Sequence, residues 1–382
     1  MEKNILIINN EFPPIGGGAG NASFYLAKNL SKLGHRVRVV TAGFRDLPPR
    51  EEEGGVTINR VKCSRRKRFE SGLWELLSYA GSAVRFISRE LKAGGERYDI
   101  SICFHTLPAG MVSYALLRNS NVPYIVMLRG GDVPGFLPER FRYYHMVSMP
   151  VIKAVWKNAR HVVANSKGLG ELAGRTACRI GREVLVIENG VDLSSFQARS
   201  RHRFDGTLRM LFVGRLEKQK GIPYLIEAVS LLAVEDRERV RVDLIGEGPE
   251  RAVLEEMIEE RGLRNFRFLG YFPHDRISTR FGEADLFVLP SLYEGMPNAL
   301  LEAMAGGLPA LVTDIMGNNE LVENEINGFL VPPADPWALR TAIMRFLERP
   351  ELLSEFRENT LCRVRKFDWM KATQELNNLI MS

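Results

Sequence analysis

Cysteine is scarce in this chain: Cys63, Cys103, Cys178 and Cys362 are scattered, and no two stand at metal-ligand spacing. That pattern argues against a disulfide scaffold or a cysteine-built zinc site, and reduced thiols in a cytoplasmic protein are expected. Long apolar runs are missing as well. None approaches the roughly 18 residues of a membrane-spanning helix, and Ile5 to Ile8 is too short for a leader peptide. Any membrane contact is therefore expected to be peripheral. Low-complexity tracts and obvious repeats are also absent, so no long disordered stretch is expected.

What is present is an ordinary globular composition, 45% hydrophobic over 382 residues, enough for two domains that each bury a core. Charge is divided unevenly. Residues 1–199 hold 29 Lys and Arg against 17 Asp and Glu, and the remainder holds 23 against 29, so the halves carry net +12 and −6. A basic first half suits an anionic partner, whether a lipid surface, a lipid-diphosphate carrier or nucleic acid; a merely solvated basic surface is the plainer alternative.

Hydrophobic periodicity gives a strand at Asn4 to Asn9, a glycine-rich loop, a helix over Phe24 to Leu33 and a strand at Val37 to Thr41, the opening of a parallel α/β sheet. Further strands are expected at Asp99 to Phe104, Tyr124 to Leu128, His161 to Ala164 and Glu183 to Ile187, with helices around Leu107 to Leu117 and Val151 to Asn158. The polar stretch Gln197 to Asp205 reads as the domain boundary. After it, strands are expected at Arg209 to Val213, Val240 to Ile245, Phe266 to Leu269, Leu286 to Leu289 and Ala310 to Thr313, closing with helices at Pro336 to Glu348 and Leu352 to Cys362. Both halves should be Rossmann-like, with an N-terminal domain over residues 1–199 and a C-terminal one over 206–364.

The most informative segment runs from Ala284 to Asp314. A buried strand leads into a loop carrying Glu294, and a helix starting near Pro297 holds Glu302, eight positions after Glu294. The amides around Asn298, Ala299 and Leu300 sit at the positive end of the helix dipole, which suits a diphosphate. Glu294 can then reach a sugar and Glu302 a ribose, while Gly295 permits close backbone approach beside Met296. Taken singly, either glutamate reads as an ordinary surface residue. Arg215 and Lys220 lie on the loop at the carboxyl end of the Arg209 to Val213 strand, where ligands bind in parallel sheets, and two cations there can neutralise a departing diphosphate without a metal. Gly246 belongs to a tight turn that either passes the nucleoside or serves folding alone.

In the first half, Pro13-Pro14-Ile15-Gly16-Gly17-Gly18 can bring bare backbone to a phosphate or an acceptor. A dinucleotide fingerprint fails on spacing, because counting from Gly16 the sixth place is Asn21. His105 and Arg129 stand at the ends of two strands. His105 is a candidate for positioning an acceptor hydroxyl, against the structural role usual for a lone histidine; Asp132 is a candidate hydrogen-bond partner of the acceptor. His35 reads as a structural turn residue, and Val186 to Asp192 as a hinge. The cluster Arg65-Arg66-Lys67-Arg68-Phe69 precedes a helix bearing Leu73, Trp74, Leu76, Leu77, Tyr79 and Phe86. It suits attachment to anionic lipid, or else a helix packed on its own domain behind a solvated loop.

From the proline-glycine loop to Phe367-Asp368-Trp369, and above all in the two glutamates separated by seven residues, the chain resembles the retaining GT-B glycosyltransferases of family 4. The resemblance implies two Rossmann-like domains facing a cleft, with the last helix (365–382) joining the first domain. It also implies transfer of a hexose from a nucleotide-diphosphate sugar to a glycan or lipid-linked acceptor, with no cofactor and no metal. Glu294, Arg215, Lys220 and His105 are then the catalytic set. Gly17, Gly18, Gly246, Gly295, Met296, Asn298, Ala299, Leu300 and Glu302 hold the donor, and Arg129 and Asp132 the acceptor. Asp314, Gly317 and Glu320 to Val322 match further positions lining the donor site. Many members carry a histidine where this chain has Arg129, which suggests an added anionic contact to the donor phosphate or to a charged acceptor. The expected setting is cytoplasmic, at the inner face of the membrane, in surface polysaccharide or glycolipid synthesis. A sugar-nucleotide epimerase of the same fold and a basic nucleic-acid-binding module are the rival readings.

Overall fold

A computed structural model describes residues 2–68, 71–95, 97–196 and 204–382. Most of the polar stretch expected at the domain boundary, residues 197–203, lies outside the described residues, as does Phe69 of the basic cluster. The chain forms two compact units, Met1–Gly190 with Trp369–Ser382, and Val191–Asp368.

Unit 1 is built on eight strands: β1 (Asn4–Ile8), β2 (Arg36–Ala42), β3 (Arg50–Glu53), β4 (Val56–Val61), β5 (Ile100–Phe104), β6 (Tyr124–Leu128), β7 (His161–Ala164) and β8 (Val184–Val186). Their order across the sheet is β3-β4-β2-β1-β5-β6-β7-β8, parallel except for β3, which pairs antiparallel with β4. The helices are α1 (Gly18–Lys32), α2 (Leu73–Lys92), α3 (Met111–Ser120), α4 (Pro138–Asn158) and α5 (Lys167–Ala177). Strands β5 and β6 are buried throughout, as expected of parallel strands covered on both faces.

The elements of unit 1 differ from the sequence reading in three places. Helix α1 starts six residues before Phe24, and its first turn packs close to the preceding loop: a Cβ added at Gly20 would lie 3.3 Å from the Ile15 carbonyl oxygen. The β3–β4 hairpin turns on Gly54 and Gly55, both at positive φ, a conformation that glycine adopts freely. Helix α4 begins 13 residues before Val151 and carries Pro150 in its interior.

Unit 2 has six parallel strands, β9 (Leu208–Val213), β10 (Val240–Ile245), β11 (Phe266–Gly270), β12 (Leu286–Leu289), β13 (Ala310–Thr313) and β14 (Gly328–Val331), ordered β11-β10-β9-β12-β13-β14. Strand β14 is an addition to the five expected from periodicity. The helices are α6 (Ile222–Ser230), α7 (Val234–Glu238), α8 (Arg251–Glu260), α9 (His274–Phe281), α10 (Asn298–Ala305), α11 (Asn318–Leu321), α12 (Pro336–Glu348) and α13 (Glu351–Val364). The unit's first and last residues, Val191 and Asp368, form a parallel bridge.

The closing helix, α14 (Trp369–Met381), belongs to unit 1. There Trp369 stacks on Tyr25 of α1 with ring centroids 5.6 Å apart. His35 Nε2 lies 2.7 Å from Asn377 Oδ1, while its Nδ1 accepts the Lys3 amide, so this histidine ties the last helix to the start of the sheet.

Candidate active site

Strand order changes direction between β9 and β12 in unit 2, and between β1 and β5 in unit 1. At such switch points the loops leaving neighbouring strands diverge and open a crevice at the carboxyl edge. In unit 2 those loops carry Arg215, Lys220 and Glu294.

The two loops are locked together. Gly221, at φ +63°, closes a short helical turn over Lys218–Lys220; a Cβ there would lie 2.0 Å from the Pro290 carbonyl oxygen, so only glycine fits. Leu292 donates its amide to the Gln219 carbonyl (2.8 Å), and Gln219 Nε2 donates to the Tyr293 carbonyl (2.7 Å). This stitching brings Lys220 Nζ to 2.7 Å from Glu294 Oε1, and Ser291 Oγ donates to the same oxygen at 2.7 Å. Both charges are largely buried, with side chains 18% and 8% exposed. Behind them, Thr313 Oγ1 donates to the Ser291 carbonyl (2.5 Å), and Asn318 Nδ2 donates to the Thr313 carbonyl (3.0 Å). Asn318 Oδ1 is buried with no hydrogen-bond partner.

Arg215 pairs with Glu217 at 2.6 Å and is 35% exposed, so it is the solvent-facing cation of the two. Each base thus has a carboxylate partner, a pairing that the sequence reading, which gave Glu294 and Lys220 separate tasks, did not contain. Glu302 is buried in the second turn of α10. Pro297 is the cap residue of that helix and not a residue within it; the Leu300 and Leu301 amides return to its carbonyl at 3.2 and 3.3 Å. The Leu300 amide, expected to face a phosphate, is therefore engaged inside the first turn. Met296 is buried, and Gly295 presents its carbonyl oxygen to Gly317, where an added Cβ would lie 2.4 Å from it. Gly246 has a packing reason of its own: at φ +138° its added Cβ would stand 1.9 Å from the Gly214 carbonyl oxygen. That close approach makes it a folding residue of the two strand-end turns, whatever it also touches.

In unit 1 the glycine loop is held by arginines. Arg65, buried, donates to the carbonyls of Asn10, Lys67 and Arg68, each at 3.0 Å, while Arg68 Nε donates to the Pro14 carbonyl at 2.9 Å. These two cations, for which a lipid surface and a solvated loop were both open from sequence, brace the loop, because carbonyl oxygens left without partners in a folded loop need donors. Leu73 and Trp74 of α2 do face outward. Gly17 caps α1, with nothing within 4 Å of an added Cβ, and Gly18 is the first helical residue.

His105, at the end of β5, adopts φ +71°, an uncommon conformation for a residue with a side chain. The neighbouring Thr106 donates its amide (2.8 Å) and its hydroxyl (3.2 Å) to Asp132 Oδ2; Asp132 Oδ1 accepts the Arg129 amide (3.0 Å). Asp132 is buried and clamps the ends of β5 and β6, which makes it a positioning residue in place of the acceptor ligand expected from sequence. Arg129 lies over the Phe104 ring, 4.8 Å from its centroid, and Nη1 donates to Asn189 Oδ1 at 2.5 Å. The supports Ser291, Thr313, Thr106 and Asn189 were missed from sequence. Their one shared signal is a small polar residue at or near the end of a strand.

Comparison with known proteins supplies the family. Residues 16–195 match the model for Glycosyltransferase Family 4, and residues 195–361 that for Glycosyl transferases group 1. The chain belongs to glycosyltransferase family 4. This family 4 glycosyltransferase is 29% identical to an uncharacterised glycosyltransferase of Methanocaldococcus jannaschii over 360 residues, covering 90% of this chain and 88% of that one. Among solved structures it resembles sucrose-phosphate synthase from Thermosynechococcus elongatus, with TM-score 0.85, 23% identity and 99% and 98% of the two chains covered. It also resembles Anabaena HepE in complex with UDP-glucose, with TM-score 0.77, 20% identity and both chains covered in full. The two parallel-sheet units are those of the GT-B fold.

Proposed function

We propose that this glycosyltransferase is a retaining enzyme that moves a hexose from a nucleotide-diphosphate sugar, held by unit 2, to a glycan or lipid-linked acceptor held by unit 1. The observation that carries the reading is the buried Lys220–Glu294 pair at the β9/β12 switch point, beside the N-terminus of α10. A lysine that has a carboxylate partner in the absence of substrate can turn its charge to a diphosphate when one arrives, leaving Glu294 to accept a hydrogen bond from the sugar. UDP-glucose bound to the HepE neighbour supports a nucleotide-sugar donor.

No residue of the site is placed as an obvious nucleophile, so front-face attack is the mechanism we favour. The bond from the anomeric carbon to the phosphate oxygen breaks, and the acceptor oxygen bonds to that carbon on the same face. The acceptor proton passes to the departing phosphate oxygen. Lys220 and Arg215 hold the charge that grows on the diphosphate, a role otherwise open to a divalent metal. His105 orients the acceptor hydroxyl, Glu302 binds the ribose, and the helix N-termini at Gly17 and Asn298 face phosphate. Work at an anionic cytoplasmic membrane surface, in polysaccharide or glycolipid synthesis, fits the basic first half and the outward Leu73 and Trp74.

The test is a panel of UDP-, GDP- and ADP-sugars, scored by thermal protection and by the anomeric configuration of the product. One donor should raise Tm and yield a product with the donor's configuration, undiminished by EDTA. An inverted product would overturn retention, loss of turnover in EDTA would overturn metal independence, and consumption of donor with nothing glycosylated would favour the epimerase.

A further inference from the structure

The guanidinium groups of Arg60 and Arg237 each keep a buried Nε without a partner, but Arg60 pairs with Glu51 and Arg237 donates to the Ser230 and Leu232 carbonyls. Buried Arg65 spends its guanidinium on three carbonyls, and part-exposed Arg209 of unit 2 pairs with both Asp205 and Asp285. Arg129 is different. Its Nη1 meets the neutral Asn189 side chain, its Nε is buried without a partner, and Nη2 has no hydrogen-bond acceptor among the described residues. No carboxylate forms an ion pair with it there. The nearby Asp132 is committed to the Arg129 amide and to Thr106. Burial accordingly pulls the guanidinium's proton affinity down, to a pKa of about 10. An uncompensated charge this deep is destabilising, and packing over Phe104 offsets only part of that.

The residue is not sealed in: it is part-exposed, at the carboxyl end of β6, one strand from the β1/β5 switch point and beside the strained His105. The two nitrogens without acceptors, Nε and Nη2, lie along one edge of the guanidinium, the fork that matches the paired oxygens of a carboxylate or phosphate. We infer that Arg129 determines specificity by pairing with a carboxylate or phosphate on the saccharide itself, so that one of the two sugars handled by this enzyme is acidic. This rests on the transferase reading above and narrows its substrate class. The acid group sits either on the transferred sugar or on the acceptor.

Binding is measured calorimetrically with matched twins, for the wild type, Arg129→Gln and Arg129→Lys. The donor arm pairs glucuronic acid with glucose on UDP, GDP and ADP; the acceptor arm compares methyl glucuronide and glucose 6-phosphate with methyl glucoside. In one arm the acidic twin should bind about tenfold tighter or more, Arg129→Gln should bring the ratio within about twofold, and Arg129→Lys should keep part of it. Arg129→Gln should also melt at or above the wild-type temperature, since it removes a charge that the protein leaves unneutralised. The inference is overturned by ratios near unity in both arms of the wild type, or by a ratio that survives Arg129→Gln. It is equally overturned if that variant loses the same affinity for both twins, for the anion read would then be the shared diphosphate. A lower Tm with an unchanged ratio would make Arg129 structural. Because the ratio is a binding quantity, failure to transfer sugar would count against the transferase reading alone.

Discussion

The two candidate sites treat buried charge in opposite ways. At the switch point of unit 2, Lys220 and Glu294 neutralise one another, and Ser291, Thr313 and Asn318 stand behind them. In unit 1, Arg129 stands over Phe104 with an amide oxygen for company, while the carboxylate beside it is occupied with backbone. Under the proposed reading, unit 2 is a site assembled before its ligand arrives, whereas unit 1 holds a charge that a ligand would complete. Self-neutralised charge suits a fragment common to many substrates, such as a diphosphate; uncompensated charge suits a group that distinguishes one substrate from another.

Breaking the pair in unit 2 should have the largest effect. Glu294→Ala strands Lys220, and Lys220→Ala strands Glu294, so either should cost about 3 kcal/mol or more in chemical denaturation and lower transfer by roughly a hundredfold or more. Replacing both by methionine and leucine should restore much of the stability and none of the activity. If the double variant stayed active, the pair would be scaffolding only.

Next in size is glycine geometry, which separates folding from ligand contact. Gly246→Ala forces a Cβ against the Gly214 carbonyl at φ +138° and should destabilise unit 2 by about 2 kcal/mol or more. Gly17→Ala, with open space at its Cβ, should leave Tm unchanged while weakening donor binding measured by calorimetry.

Arg215→Ala should lower transfer by about tenfold or more yet shift Tm little, because its part-exposed pair with Glu217 contributes about 1 kcal/mol. A large drop in Tm would show that Arg215 holds the loop rather than the diphosphate.

Acid should produce the smallest effect and confine it to unit 1. Burial holds His145 and His161 below the ordinary histidine pKa of 6.5, so the unfolded chain takes up their protons first. Their stabilising contribution is present above that value and is lost as pH falls through it. The melting transition of unit 1 should therefore drop between pH 7 and 5.5, and His145→Gln should blunt the drop; an unchanged slope would remove His145 from the account.

The same contrast explains what was legible in the sequence. Glu294 and Glu302 share one strand, loop and helix, so their relation is local and could be read directly. Lys220 was placed at a strand end by the apolar run before it, but its partner lies 74 residues away and is reached only because β9 and β12 are neighbours. Asp132 looked like a ligand until its oxygens were found on Thr106 and the Arg129 amide, contacts made across two strand ends. Arg65 and Arg68 read as either a lipid patch or a solvated loop because sequence shows charge and not the carbonyls that receive it. Strands β3 and β14 were missed as short elements, β4 was missed with its hairpin partner β3, and the start of α1 was missed because its glycines disguise a helix as a loop.

The most direct test of the central claim, a diphosphate clasped by the Lys220 side of unit 2, is calorimetric titration of the wild type and Lys220→Met with the nucleotide sugar that protects best against heat. The account predicts saturable binding to the wild type, weakened about tenfold or more in the variant. Equal affinity in the two proteins would contradict it.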